Sequence, residues 1–416
     1  MQDLICISHL RWDFVWQRPQ HLLSRLAQNY RVFFVEEPVT NTEISEPRLE
    51  VFGGRGEHPV TVIRLLQPAK EHYWIGHNDP QTQATYERLL AEYFDREDNG
   101  ERIVWLYTPM AAPFVEALNP DLLIYDVMDE LSAFKGAPAA LREQDRAMLK
   151  QADITFTGGV SLYRARLPYA ANIHLFPSGV EIDHFAKAAK GDLSRPEDLA
   201  GMPAPILGYF GVVDERMDLP LLARLAESHP EWHIVMLGPV IKIDPAELPQ
   251  APNLHFLGMK DYQQLPAYLT YFDVALVPFA MNEATRYLSP TKTLEYLAAN
   301  KPVVSTPIAD IVELYGDYVR IGETPDEFVA QVEASLAETA SERTDREQRV
   351  RKLLQLHTWD YIAGEMEKLI EAARQPVTDE GELDPASDAA PTDLQTVGGG
   401  LTHYVTPEQQ RPVNSA

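Results

Sequence analysis

Lys292 and Glu295 stand three residues apart in SPTKTLEYLAANKPVVST (Ser289 to Thr306), a stretch whose other side chains suit a packed helix followed by a buried strand. Ser289 fits an N-cap and Pro290 the first helical position, with Leu294, Leu297 and Ala298 as the packing stripe. On that register Thr291, Lys292 and Glu295 project together from the opposite face. One reading is a solvated ion pair that stabilises the helix by about 0.2–0.5 kcal/mol. The other is a ligand site. Free N–H groups at a helix start and a lysine can hold a diphosphate, while a carboxylate accepts hydrogen bonds from the adjacent hydroxyls of a ribose.

The whole chain bounds the choice. Its formal net charge of −26 over 416 residues excludes a nucleic-acid partner, because phosphate backbones are bound through excess Lys and Arg. Any phosphate-bearing ligand must then be held by a few placed cations and backbone N–H groups. The single cysteine, Cys6, rules out an internal disulfide and a cysteine zinc cluster, and suits a reducing cytoplasm. There is no G-x-x-x-x-G-K-[ST] or G-x-G-x-x-G loop, and no H-E-x-x-H, EF-hand or D-x-D pattern, so neither a metal nor a cofactor is expected. No apolar run approaches the roughly 18 residues of a membrane span. The opening MQDLICISHLRWDF lacks a basic region before its short apolar run, and reads as a first strand rather than a signal peptide.

Short β-rich apolar runs alternate with helical-period segments, the pattern of parallel α/β sheets. Strands are expected near Leu4–Ser8, Arg31–Val35, Val60–Leu65, Arg102–Tyr107, Leu122–Tyr125, Ile154–Thr157 and Ile173–Phe176. A second set falls near Ile206–Phe210, His233–Leu237, Leu254–Leu257, Val274–Val277 and Val303–Ser305. Two sets imply two Rossmann-like domains, 1–185 and 205–345, joined by the polar, Gly- and Pro-bearing linker 186–204. A carboxy-terminal helix is expected over 346–374. An acidic tail at 375–416, with few clustered apolar residues, reads as disordered.

In open α/β sheets ligands sit beyond the carboxyl ends of strands. His9, Trp12, Asp13, Trp16 and Arg18 follow the first strand in this way. Trp12 and Trp16 suit stacking on the apolar face of a sugar. Equally, they are hydrophobic anchors, with Arg18 pinning a helix start. Past a later strand, IYDVMDELSAFKG offers Asp129 and Glu130, carboxylates able to act as a general base or to cap the next helix. Arg142, Arg146 and Lys150 recur at every fourth position, followed by Arg164 and Arg166. That stripe is either a solvated face or a contact with anionic membrane lipid or a lipid diphosphate.

Residues 282–306 resemble the donor-site signature of the "group 1" family of GT-B glycosyltransferases. NIHLFPSGVEIDHF (Asn172 to Phe185) is similar to that family's crossing segment between domains, and ILGYFGVVDERMD (Ile206 to Asp218) to its strand, Gly turn and basic residue. NLHFLGMKDYQQLPAYLTYFDVALVPF (Asn253 to Phe279) is similar to its strand, Gly, helix, Asp, strand and Pro run. The resemblance implies a GT-B architecture, two facing Rossmann-like domains with a crossing carboxy-terminal helix. It implies a donor nucleotide, UDP- or GDP-linked, on the second domain and a glycan or lipid-linked acceptor on the first.

By position, the resemblance assigns the ribose hydroxyls to Glu295, the diphosphate to Arg216 and Lys292, close approach of the donor to Gly211, and the base to Gly258 and Met259. It sets Tyr287, Ser289, Pro290 and Thr291 along the same donor site. His9, Trp12, Trp16, Arg18 and Glu130 would meet the acceptor. The family often carries a second Glu, which here falls on Tyr287, with Glu283 out of register. A retaining reaction needs no separate protein base; for an inverting one Asp129 or Asp13 is the candidate. A nucleotide-sugar epimerase and a non-catalytic nucleotide-sugar-binding partner protein are the alternative readings. The setting expected is cytoplasmic, at cell-surface polysaccharide synthesis on the inner membrane face.

Overall fold

The computed structural model describes residues 1–14, 16–54, 59–68, 79–96, 100–134 and 137–374. The expected disordered tail, 375–416, lies outside the described residues.

The continuous apolar runs of the first half become strands buried on both faces, as parallel sheets require. They are β1 (Gln2–Ile7), β2 (Tyr30–Val35), β3 (Val39–Asn41), β4 (Arg48–Gly53), β5 (Val60–Pro68), β6 (Arg102–Leu106), β7 (Leu122–Val127), β8 (Ile154–Thr157) and β9 (Ile173–Leu175). They form one sheet of order β3-β5-β2-β1-β6-β7-β8-β9, with β4 antiparallel on β5 and the remaining pairs parallel. Leu4 and Cys6 point into one core and Ile5 and Ile7 into the other, so one strand feeds both layers.

The second sheet is wholly parallel. It comprises β10 (Ile206–Phe210), β11 (His233–Leu237), β12 (Leu254–Phe256), β13 (Val274–Val277), β14 (Val303–Ser305) and β15 (Arg320–Ile321), in the order β12-β11-β10-β13-β14-β15. Sequence periodicity misses β3, β4 and β15. Each is short or half-exposed, and β4 alternates without a clean apolar face.

The two halves are tied by two crossings. The chain leaves the first sheet through 176–182 and returns at 356–359, and there Val180 pairs with Thr358 and donates its N–H to the His357 carbonyl at 2.8 Å. Residues 346–374 are not one helix. Ala340–Gln355 stays on the second domain, where Arg346 reaches Asn300 at 3.0 Å. Trp359–Arg374 packs back on the first, against the Arg18–Leu26 helix: Trp359 stacks on His21 at 4.6 Å and Asp360 accepts from Arg25 at 2.7 Å. Residues 186–204 do not run as a free tether. Ala188 and Leu199 are buried in the second core, and Asp198 holds Lys260 at 2.6 Å and the Tyr268 hydroxyl at 2.8 Å.

Candidate active site

Seen from the second domain, the site begins where β10 ends. Gly211 takes φ +136°, and a β-carbon there would meet the Tyr209 hydroxyl at 2.9 Å and Lys292 Cε at 3.0 Å. Its neighbour Gly238, at the end of β11, would drive a β-carbon to 1.9 Å from the Gly211 carbonyl oxygen, and it donates its N–H to the Gly258 carbonyl at 2.8 Å. Three strand ends thus close on one another through bare backbone.

The loop after Gly211 is strapped down at its far side: Ala280 N–H donates to the Arg216 carbonyl at 2.8 Å and Asp218 N–H to that of Pro278 at 2.9 Å. Within it Arg216 grips Asp214 bidentately, Nε to Oδ1 at 2.9 Å and Nη2 to Oδ2 at 2.7 Å. Asp214 is buried, and Arg216 Nη1 has no acceptor among the described residues. One edge of a planar guanidinium is fixed and the other kept open.

Lys292 and Glu295 lie on the Lys292–Ala298 helix beside this loop. Both are half-buried, and no hydrogen bond or ion pair to either side chain is formed among the described residues. The Lys292 ammonium instead faces two rings, 5.0 Å from the centre of Phe279 and 5.5 Å from that of Tyr209. Burial first, and then Arg216, holds its pKa below the usual lysine range, against the pull of Glu295 and Asp214. Burial pushes the Glu295 carboxyl up, reinforced by Glu181 and opposed by Lys292. The surface ion pair is therefore not what these residues make. A cation with only ring faces beside it and a carboxylate with no hydrogen-bond donor, both partly withdrawn from water, are costly to the fold, and a ligand that supplies an anion and donors would offset that cost.

The helix does not start as the residue types suggest. Thr291, not Ser289, is its N-cap, with no side-chain capping bond, and Ser289 and Pro290 lie outside it. Ser289 abuts the Gly159 turn of the first domain, and Pro290 is buried. Met259 is exposed beyond β12, next to Gly258 at φ +70°. Tyr287 reaches the first domain's core and lies under two guanidiniums, Arg286 at 5.4 Å and Arg166 at 5.9 Å from its ring centre.

Across the gap the first domain divides into structural and accessible groups. Arg18 is 1% exposed; it chelates Asp126, Nε to Oδ2 at 3.0 Å and Nη2 to Oδ1 at 3.1 Å, and donates Nη1 to the Phe176 carbonyl at 2.8 Å. Trp12 is 2% exposed and packs edge-on to Phe34. These two are core elements and not the acceptor contacts expected of them: neither a ring nor a guanidinium so enclosed can meet a sugar. Trp16 is half-buried and donates its indole N–H to His21 Nδ1 at 3.2 Å. His21 accepts there as a neutral ring, its pKa lowered to about 3 by burial and then by Arg25 and His184, so its 4.0 Å approach to Glu181 is not an ion pair. His9 is half-buried and neutral, lowered to about 4 by burial against a backbone hydrogen bond with Tyr107.

Asp13 is exposed on the loop after β1. Asp129 is half-buried after β7; burial raises its pKa, while Arg216 and Lys242 oppose the rise. Glu130 is held by Arg166 at 2.6 Å and by the Ser132 hydroxyl at 2.6 Å. Asp129, Glu130, Arg216 and Tyr287 share one cavity between the domains, of about 20 Å³. Small-molecule sites run to about 300 Å³ or more, so this cavity by itself is too small to hold one. Holding them together are Ser161, whose N–H donates to Asp310 at 3.0 Å and whose hydroxyl also bonds it, and Arg164, which forks onto Glu313 at 2.5 and 2.7 Å.

Asp214, Gly238, Glu181 and Arg166 were not singled out as donor- or acceptor-site groups from the sequence. Asp214 had a signal: a loop arginine needs an acid nearby to fix its fork, and VDER supplies one two residues back. Among the described residues no three His, Cys, Asp or Glu side chains are placed to hold a metal ion, and no helix is long and apolar enough to cross a membrane.

The family model "Glycosyl transferases group 1" matches residues 205–338. A protein of Bacillus subtilis (strain 168) named for teichuronic acid biosynthesis, the glycosyltransferase TuaH, is 26% identical over 294 residues, 66% of this chain and 73% of that one. Among solved structures, sucrose-phosphate synthase from Thermosynechococcus elongatus superposes with a TM-score of 0.66 at 16% identity, over 89% of this chain and 99% of the other. An E. coli trehalose-6-phosphate structure bound with UDP-2-fluoro glucose superposes at 0.65, with 16% identity, over 90% and 100%. The chain has the GT-B fold, and its residues 205–338 match the group 1 glycosyltransferase family model.

Proposed function

We propose that the protein transfers a sugar from a nucleoside diphosphate sugar to a hydroxyl of a glycan or lipid-linked acceptor, in the synthesis of a cell-surface polysaccharide at the cytoplasmic membrane face. One observation carries the reading: Lys292 and Glu295 are half-buried side by side, with no hydrogen bond or ion pair to either side chain among the described residues, next to the open edge of Arg216. A diphosphate would give Lys292 the anion it lacks and meet Arg216 Nη1, and ribose hydroxyls would donate to Glu295. Gly211 and Gly238 leave backbone where the donor must come closest.

Departure of the nucleoside diphosphate concentrates charge on its outer phosphate, which Arg216 and Lys292 are oriented to stabilise; no metal or cofactor is required for that step. In a retaining reaction this phosphate also takes the acceptor proton. In an inverting one Asp129, which lines the same cavity as Arg216, would be the base. Closure through Ser161 and Arg164 would exclude water that otherwise hydrolyses the donor.

A non-catalytic nucleotide-sugar binder is favoured by one feature, Tyr287, whose ring is covered by two arginines where relatives often carry a carboxylate. Thermal-shift titration with UDP, GDP and their sugars tests the proposal. At a hundredfold excess over Kd a ligand of the folded state adds about 2.7 kcal/mol of apparent stability. The expected result is a rise with at least one diphosphate and none with adenosine; no shift with any of them overturns the donor site. Consumption of the donor in the presence of acceptor separates enzyme from binder.

A further inference from the structure

Four arginines gather at one cleft that the proposed donor chemistry does not use. The cleft opens next to the small cavity of Asp129 and Arg216, sharing Glu130, Ala133 and Tyr287 with it, and encloses about 260 Å³. Arg142, Arg146 and Arg166 come from the first domain, and Arg286 from the segment before Tyr287 in the second.

They are arranged in two tiers. Arg166, 4% exposed, sits at the floor, bonded to Glu130 at 2.6 Å and 3.5 Å from Asp145, and its buried Nε has no hydrogen-bond partner. Arg142, Arg146 and Arg286 form the rim, and none of the three has a carboxylate within ion-pair distance among the described residues. Each is held by something other than an acid: Arg142 Nε donates to the Ser132 hydroxyl at 3.2 Å, Arg146 lies over Tyr169 at 5.0 Å, and Arg286 lies over Tyr287 at 5.4 Å. Stacking on a ring fixes the plane of a guanidinium and leaves its donor edge free. Three oriented, unpaired forks in a chain of net charge −26 are not the average of its surface. The spacing of Arg142 and Arg146 alone suits a solvated helix face. Their convergence with Arg286 from the other domain, over a buried guanidinium with an unpartnered N–H, does not.

We infer that this cleft holds a phosphate group of the acceptor, beside the donor site. Glu130, Asp145 and Glu283 also line the cleft, but Glu130 and Asp145 are taken by Arg166, and Glu283 pairs with none of the rim arginines among the described residues. A phosphate, which planar forks bind bidentately, would therefore give the rim an anion that a neutral sugar would not. Because Arg286 belongs to the second domain, the cleft is complete only when the domains are together, which couples acceptor capture to closure. The inference rests on the proposed transferase reading for the word acceptor, but not for the binding of phosphate.

The test uses the full chain with UDP held at saturation, so that the donor site is filled, and titrates inorganic phosphate by calorimetry. A parallel arm sediments the protein with phosphatidylcholine vesicles with and without phosphatidic acid, distinguishing a free sugar phosphate from a lipid-borne one. Phosphate binding in the first arm, or phosphatidic acid-dependent sedimentation in the second, is expected, and Arg146→Glu with Arg286→Glu should weaken it at least tenfold. Both side chains are exposed, so the fold should survive; an unchanged melting curve and UDP affinity within twofold of the parent verify this. Absence of binding in both arms, or binding that the double variant leaves unaltered, overturns the inference. Failure of UDP to bind while phosphate still does would instead defeat the donor assignment alone.

Discussion

Arg18 and Arg216 carry the same chemistry to opposite ends. Each follows the strand that opens the central part of its sheet, and each clasps an aspartate bidentately, Asp126 for one and Asp214 for the other. Arg18, 1% exposed, has its remaining donor on the Phe176 carbonyl. Arg216 keeps 23% of its side chain exposed and Nη1 open to the gap. An Arg–Asp clasp therefore says nothing of role until the third face of the guanidinium is known: closed by backbone it joins elements of a fold, left open it aims a charge.

The largest expected effect breaks the buried member of this pair. Arg18→Ala leaves Asp126 uncompensated in the core and should cost about 3–5 kcal/mol of stability in a denaturant melt. Arg216→Lys, which keeps a cation for the buried Asp214 but loses the open fork, should instead lower turnover by roughly 100-fold or more while the melt moves far less. Equal loss of stability in the two variants would erase the distinction.

Lys292→Met sharpens the contrast further. It removes a cation whose charging burial and Arg216 disfavour, so stability should hold or rise while UDP affinity falls by about 1.5–3 kcal/mol, measured by calorimetry. The pH dependence follows from the same shift. With a pKa held below the usual lysine range, Lys292 loses its proton as pH rises above neutrality, so parental UDP affinity should decline between about pH 7 and pH 9, below the ordinary lysine titration near 10.4. The Met variant should lose that slope.

The smallest effect is at Glu295. Its raised pKa means the folded state holds a proton that the unfolded chain has already released. The fold accordingly loses stability as pH rises from the unfolded value of about 4.3 through the folded one. Glu295→Gln should abolish that loss and make the protein slightly more stable at neutral pH, while costing about 0.5–1.5 kcal/mol of UDP binding. A variant less stable than its parent at neutral pH contradicts the account.

Much of the frame was legible because parallel strands buried on both faces leave unbroken apolar runs: Ile154–Thr157, Ile206–Phe210, His233–Leu237, Val274–Val277 and Val303–Ser305 match residue for residue. Strand β4 was not, since a half-exposed edge strand has no such run. Glu295 and Lys292 stood out as charges on a packed helix. The start of that helix was misread because Ser–Pro satisfies local capping rules, whereas Ser289 is drawn to a turn of the other domain. Trp12 and Arg18 show the same limit: residue type and loop position suit a sugar site, but burial is decided by Phe34, Asp126 and Phe176, which lie far along the chain.

The pairing of Val180 with Thr358 bears on motion. Two covalent passages lie side by side and bonded at a single line, so the halves share a spine and can turn about it more readily than they can slide. On the proposed function, any swing that admits a donor would have to unclasp Ser161 from Asp310 and Arg164 from Glu313, and release of product would retrace the same arc.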